Sequence, residues 1–143
     1  MTPEILNRLL EPVRNRIRMM VARSLVSAVS DGNGGITLEL TLGAAEVRDD
    51  VDLVQQYGIS SKPVPGKTQA VTLFLSGSRS EGVTIATKGL GTEMSFSLEA
   101  GEVALHTDEG DSVHLKRGRI VELTTETLKI TASTEVSIDS PKG

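Results

Sequence analysis

Two histidines, His106 and His114, have the widest chemical repertoire of any side chains in this sequence. A histidine with an aspartate and a serine can form a hydrolytic triad, and Asp108 lies close to His106 in the chain. No serine lies in a nucleophile elbow, so chance proximity is the stronger interpretation. Each histidine adjoins a leucine in a stretch that alternates apolar and polar residues. This alternation predicts that both imidazole rings point to solvent.

The second group with possible chemistry is the acidic stretch that contains Asp49, Asp50 and Asp52. Carboxylates can form a glycosidase pair or bind a cation. A charged stretch between apolar segments is more often a solvated loop, and we predict an acidic loop over residues 44–57. Residues 31–35 (DGNGG) have the first spacing of a calcium loop but lack its distal glutamate, so they predict a hairpin turn.

Composition excludes several function classes. The 143 residues have a formal net charge of −4 and a pI near 5.2, which gives no electrostatic footprint for nucleic acid. Cysteine is absent, which excludes disulfides, cysteine-based zinc sites and thiol nucleophiles. No apolar run approaches the length of a transmembrane helix, and the arginine-rich N-terminal stretch does not resemble a signal peptide.

Aromatic residues are scarce, with one Tyr, two Phe and no Trp. Aromatic side chains usually supply much of the buried area of a core, and a small monomer buries its surface poorly. We therefore predict that the chain completes its core with other copies of itself.

The elements that position these residues begin with a predicted amphipathic helix over residues 1–20. Apolar residues recur in it at helical spacing, and arginines occupy its other faces. Thr2 is a suitable N-cap, and Pro12 predicts a break or kink near the middle. We interpret the helix as packing on its own protein or on a partner, with a membrane-surface helix as the alternative.

Residues 19–88 alternate apolar and polar side chains with a period of two, which is typical of half-buried strands. Four or five such strands, separated by turns, predict a small antiparallel barrel, for which an OB-fold is the simplest candidate. Residues 89–101 are predicted to be a connector in which residues 94–98 favour one short strand.

Residues 102–143 carry pairs of aliphatic residues two positions apart, at a short and regular interval. This repeat favours a β-helix or β-prism. Such short strands cannot form a two-layer sandwich without aromatic residues. We therefore predict a trimeric triple-stranded β-helix whose axis is lined by the paired residues of three copies. The residues predicted on the axis are Leu105, Val113, Leu115, Val121, Leu123, Leu128, Ile130, Val136 and Ile138.

Several segments together resemble the central spike family of contractile-tailed phage baseplates, the baseplate assembly protein V class, and most closely its Mu-type spikes. The resemblance covers nearly the whole chain. The matching segments are VRNRIRMMVAR at residues 13–23, GAAEVRDD at 43–50, QYG at 56–58, PVPG at 63–66, LFLSGSR at 73–79 and GEVALHTDEGDSVHLKRG at 101–118.

The resemblance implies a non-enzymatic homotrimer with an N-terminal OB-fold and a C-terminal triple-stranded β-helix, located in the virion. Such a spike is assembled in the host cytoplasm, attaches to the tail hub protein and crosses the host outer membrane transiently when the sheath contracts. We expect hub contact from residues 1–60 of this chain, in particular from Arg14, Arg16, Arg18, Asp49 and Asp50.

Spikes of this family commonly carry a His-x-His pair that holds an iron ion at the apex. Neither His106 nor His114 has a second histidine two residues away, so no metal or other cofactor is predicted here. The sequence after Ser140 also lacks the pair, and we expect a separate spike-tip protein to be a partner.

Two other function classes stay open as alternatives. An OB-fold module that binds single-stranded nucleic acid, with an oligomerising β tail, is the first. It needs stacking platforms, for which only Tyr57, Phe74 and Phe96 are available. A spike-borne cell-wall hydrolase is the second, although no segment is left over to form such a domain.

Overall fold

The computed structural model describes residues 2–32 and 34–141. The chain forms two compact units, Met1–Ser95 and Phe96–Gly143. Residue 33, in the predicted turn and calcium-like spacing, lies outside the described residues, as do residues 142 and 143 of the predicted spike segment.

Helix α1 spans Pro3–Met19 without interruption, so Pro12 does not break it; the alternative that was predicted, a kink, stays a prediction. Proline removes one backbone donor and leaves the carbonyl four residues earlier without its helical partner. Every residue of α1 is described and none is buried, so water can satisfy that carbonyl. Among the described residues, no helix is both long enough and apolar enough to cross a membrane.

The first unit is a closed barrel that follows α1. Apart from residue 33, its chain from residue 21 to 89 is described, and five strands close in the order β1-β2-β3-β5-β4. All neighbouring strands are antiparallel except β3 and β5, which are parallel. The helix and the barrel confirm the predicted mainly β class for this part. The strands are β1 Val21–Gly32, β2 Gly35–Leu42, β3 Glu46–Leu53, β4 Thr68–Phe74 and β5 Gly82–Gly89.

The barrel core is built from the inward side chains of the alternating strands. Strand β2 shows this most clearly, since Leu38, Leu40 and Leu42 are all buried. Glu39, which lies between two of them, accepts a hydrogen bond from the Ser27 hydroxyl on the neighbouring strand β1. The period of two in the sequence therefore arises, as expected, because successive side chains of a strand point to opposite faces of the sheet. The buried apolar residues are Val26, Leu38, Leu40, Leu42, Val51, Leu53, Ala70 and Phe74.

The prediction of an acidic loop over residues 44–57 is wrong for its first part, which forms strand β3. Val51 and Leu53 are buried in the barrel, and Asp52 between them is exposed. The pairing with β2 shifts between Leu38 and Leu40, so Asp49 and Asp50 lie opposite one residue. Asp50 has a φ of 53° at this bulge. Two consecutive aspartates thus interrupt the alternation that would have predicted the strand.

The predicted short strand over residues 94–98 does not form. Met94 instead packs on the end of β5, where a Cβ at Gly89 would lie 2.5 Å from the Met94 Cβ. Glu93 forms an ion pair with Lys67 at 2.5 Å. These contacts hold residues 93 and 94 against the barrel.

Thr72 and Thr84 are both fully buried, with their hydroxyl oxygens 2.9 Å apart. The single substitution Thr72→Val should destabilise the barrel by about 1–3 kcal/mol, because it leaves the Thr84 hydroxyl buried without that partner. The double substitution with Thr84→Val should recover most of this loss. Urea unfolding followed by circular dichroism measures both. A double variant as unstable as the sum of its single variants would contradict the prediction.

The second unit contains a small antiparallel sheet. Within residues 96–141, which the structure describes, three strands pair in the order β6-β7-β8. Residues 125–141 have no helix or strand within the single chain. The strands are β6 Val103–His106, β7 Ser112–Lys116 and β8 Ile120–Thr124.

Candidate functional site

The register of the β6-β7-β8 sheet places its aliphatic residues on one face. Residues directly opposite each other in antiparallel strands share a face, and every second residue along a strand does so too. Two cross-strand rows result. The first row is Val103, Leu115 and Val121, and the second is Leu105, Val113 and Leu123. We call these six residues the aliphatic face.

The aliphatic face is open to solvent in the single chain. Leu105 is 62% exposed, Val121 64% and Leu123 56%, and Val113 is the best protected of the six. Tight turns hold the strands in this register, with Gly110 and Gly118 at positive φ and Asp111 accepting a hydrogen bond from the Thr107 amide. Contiguous exposed apolar surfaces of this kind are typical of interaction sites.

The chain beyond β8 continues the same pattern without strand pairing. Leu128, Ile130, Val136 and Ile138 are 60%, 63%, 54% and 87% exposed, respectively. Within residues 125–141, all of which are described, no intrachain sheet covers them.

The opposite face of the sheet is covered by Phe96. Its ring stacks on His106 and meets the edge of His114, with 5.0 Å between ring centroids in both cases. His114 is only 8% exposed, so the prediction that both histidines point to solvent is wrong for His114. His106 is exposed as predicted. The two sides of the sheet therefore differ, because only one of them has an intrachain cover.

The Glu102 carboxylate stabilises this covered face through hydrogen bonds. Its carboxylate lies 3.0 Å from His114 Nε2 and accepts backbone N–H groups from Arg117 at 2.9 Å and Glu99 at 3.1 Å. These bonds lower the pKa of Glu102 from 4.5 to about 2, with the Arg117 amide as the largest cause. One carboxylate thus joins the segment before β6, strand β7 and the turn into β8.

The comparisons with known proteins cover both units. The family model "Bacteriophage Mu Gp45, N-terminal" matches residues 23–89, which correspond to the barrel. The "Baseplate puncturing device gp45" of Escherichia phage Mu is 31% identical over 138 residues, which are 96% of this chain and 68% of that protein. The chain belongs to the phage Mu Gp45 family of baseplate spike proteins. The "Mu-like prophage FluMu protein gp45" of Haemophilus influenzae is 30% identical over 148 residues, covering 97% of this chain and 78% of that protein.

In this Gp45-family chain, the structure brings five of the nine predicted axis residues together on the aliphatic face. The other four lie in the unpaired segment after β8. Sequence reasoning left Val103 out of the axis set, although the spacing of Val103 and Leu105 matches the other pairs. It also missed the cluster of Glu102, His114 and Phe96, for which the sequence offers no periodic signal.

The two histidines have different partners in the structure. His114 is hydrogen-bonded to Glu102, and His106 stacks on Phe96 from the neighbouring strand. Among the described residues, no three histidine, aspartate or glutamate side chains are close enough to hold a metal ion.

The residues predicted for hub contact are all exposed. Arg14 and Arg18 share one polar face of α1 with Glu4, Arg8 and Glu11. Arg16 lies at the end of α1 that contacts the Leu75–Gly77 turn. Asp49 and Asp50 occupy the bulge of β3.

The aromatic residues occupy three separate environments. Phe74 is buried in the barrel core, Phe96 packs on the histidines of the second unit, and Tyr57 is fully exposed on the loop after β3. A row of stacked bases needs several exposed rings along one groove, which this distribution does not offer.

Acid should weaken the second unit through Glu102. Since its folded-state pKa is depressed, the stability that its ionised form contributes is complete above about pH 4.5 and is lost as the pH falls toward 2. We expect Glu102→Gln to remove this part of the acid dependence. Acid unfolding curves by circular dichroism measure it. The control is Glu122→Gln, which affects an exposed pair with Lys116 and should leave the curve unchanged. Identical curves for the two variants would contradict the role of Glu102.

Proposed function

We propose that this chain is the structural central spike of a contractile phage tail baseplate, or of a related injection device, and that it works as a homotrimer. The observation that carries the proposal is the aliphatic face, which is exposed in the single chain and continues in the aliphatic pairs after β8. The Mu relative, whose name is "Baseplate puncturing device", supports the assignment to the baseplate.

Three copies around an axis would satisfy both the side chains and the backbone of this segment. Full burial of an aliphatic side chain contributes about 1.5–3 kcal/mol, so the exposed pairs of three chains supply a large driving force. Strands β6 and β8 are edges, and residues 125–141 have no intrachain pairing. Pairing them with a neighbouring chain would build the triple-stranded β-helix over residues 102–143.

The mechanism that follows is mechanical and involves no catalysis. A shaft whose core is closed by three chains is stiff, because every strand is paired and every aliphatic side chain is packed. Force from sheath contraction would be transmitted through it to the host outer membrane, with a separate tip protein as partner and no apex metal in this chain. The barrel, an OB-fold in this proposal, and the charged residues of α1 and β3 would attach the spike to the hub in the virion.

The mass of the purified full chain tests the proposal. Light scattering should give three times the chain mass of 15.2 kDa, and the assembly should resist SDS at room temperature because its strands are interwoven. A stable monomer at micromolar concentration would refute the trimer. A trimer that SDS dissociates at once would refute the interwoven shaft.

A further inference from the structure

Helix α1 carries a second exposed apolar surface, and its spacing is that of a coiled coil. Four of its apolar residues, together with Met20 at its C-terminal cap, are separated by four, three, four and three positions, the 3.5-residue period of a heptad repeat. None of them is buried in the single chain. We call this set the α1 seam, and it consists of Leu6, Leu10, Val13, Ile17 and Met20.

The barrel contacts α1 at one end and leaves the seam open. A Cβ at Gly77 would lie 2.6 Å from the Arg16 carbonyl oxygen, and the Met20 carbonyl accepts the Phe74 amide at 2.7 Å. Helices in proteins gain most of their stability from packing an apolar face, and α1, with 17 residues, has no buried residue. The seam therefore needs a partner.

The residues beside the seam can be tested against a parallel second copy of α1 as the partner. With Leu10 and Ile17 at a positions, Arg14 occupies e, and Leu9 and Arg16 occupy g. In parallel helices, a g residue faces the e residue five positions later on its neighbour. Leu9 then faces Arg14, whose aliphatic stem can pack on it, and Arg16 faces no helical residue. No two arginines face each other in this arrangement, so the residues beside the seam are compatible with parallel copies of α1.

We propose that the α1 helices of three copies pack seam to seam as a parallel three-helix coiled coil. This inference rests on the homotrimer of the proposed function, since closed cyclic symmetry makes equivalent helices parallel. Leu9 at a g position widens the apolar stripe beyond the a and d positions. Arg8 and Arg18 stay on the outer face with Glu4 and Glu11, where they remain available to the hub.

The absence of cysteine allows a direct test in the full chain. Single variants Leu10→Cys and Ile17→Cys place thiols in the seam, and Asn15→Cys at an f position is the matched control on the outer face. After mild oxidation and heat denaturation, the seam variants should yield at least about tenfold more covalent dimer than the control, because the coil holds their thiols at high effective concentration. Circular dichroism of the reduced variants checks that the helix is intact.

Each outcome decides between the inference and the proposal it rests on. A trimeric mass with seam thiols no more cross-linked than Asn15→Cys would overturn the coiled coil and leave the trimeric shaft standing. Seam thiols that stay open to maleimide in the trimer would do the same and indicate a different protein as the occupant of the seam. A mixed product of Leu6→Cys and Ile17→Cys, a d and an a position that meet only in antiparallel helices, would overturn the inference. A monomeric wild-type chain would refute both proposals.

Discussion

The substitution Leu123→Asp is expected to convert the trimer into a monomer. Leu123 lies in the second row of the aliphatic face, 56% exposed in the single chain and buried on the proposed axis. A buried charge without a partner costs about 3–5 kcal/mol, and three symmetry-related carboxylates would meet there. We expect loss of SDS resistance and a light-scattering mass of one chain. Ile130→Asp, in the segment after β8, should have the same effect if that segment continues the shaft.

The control for this prediction is Thr124→Asp, one residue further along β8. Thr124 pairs with Ser112 and is exposed, but it lies on the opposite face of the sheet from Leu123. The same charge at this position should leave the trimer intact. A trimer that survives Leu123→Asp, or one that Thr124→Asp disrupts equally, would show that the aliphatic face does not line the axis.

The parts of the fold that were predicted correctly are those with an uninterrupted period. Strand β2 alternates strictly and was found from sequence, as were the helix α1 and the barrel class. Strand β3 was missed because Asp49 and Asp50 form a bulge that breaks the alternation, and because its acidic outer face resembles a solvated loop. The inward residues Val51 and Leu53 are the pattern that indicates a strand, but the acidic composition of the segment concealed it.

The candidate surface was only partly predictable for a different reason. The aliphatic pairs were visible in the sequence, but the rows they form depend on strand register, which a single sequence does not fix. The burial of His114 could not be predicted from its neighbours, because Phe96 and Glu102 come from outside strand β7. A contact between two segments of different periodicity leaves no recognisable pattern in the sequence of either segment.

Phe74→Ala is expected to be the most destabilising single substitution in the barrel. Phe74 is 1% exposed and is the largest fully buried side chain of the described core. Gly82 lies so close that a Cβ there would be 2.9 Å from the Phe74 ring, and the Arg79 guanidinium lies 4.8 Å from the ring centroid. The neighbouring backbone cannot easily fill the space, so we expect a loss of about 3–5 kcal/mol in urea unfolding.

The adjacent residue supplies the control for this prediction. The oligomeric state then shows whether the second unit stays assembled when the barrel unfolds. Leu75 is 53% exposed, so Leu75→Ala should change the unfolding free energy by less than about 1 kcal/mol.

Since domain stabilities are about 5–15 kcal/mol, Phe74→Ala should bring the barrel close to unfolding at moderate temperature. The trimer contacts proposed for the second unit do not involve this core. Light scattering should therefore still give a trimeric mass under conditions in which circular dichroism shows that the barrel has melted. Loss of the trimer together with the barrel would mean that the shaft cannot assemble without it.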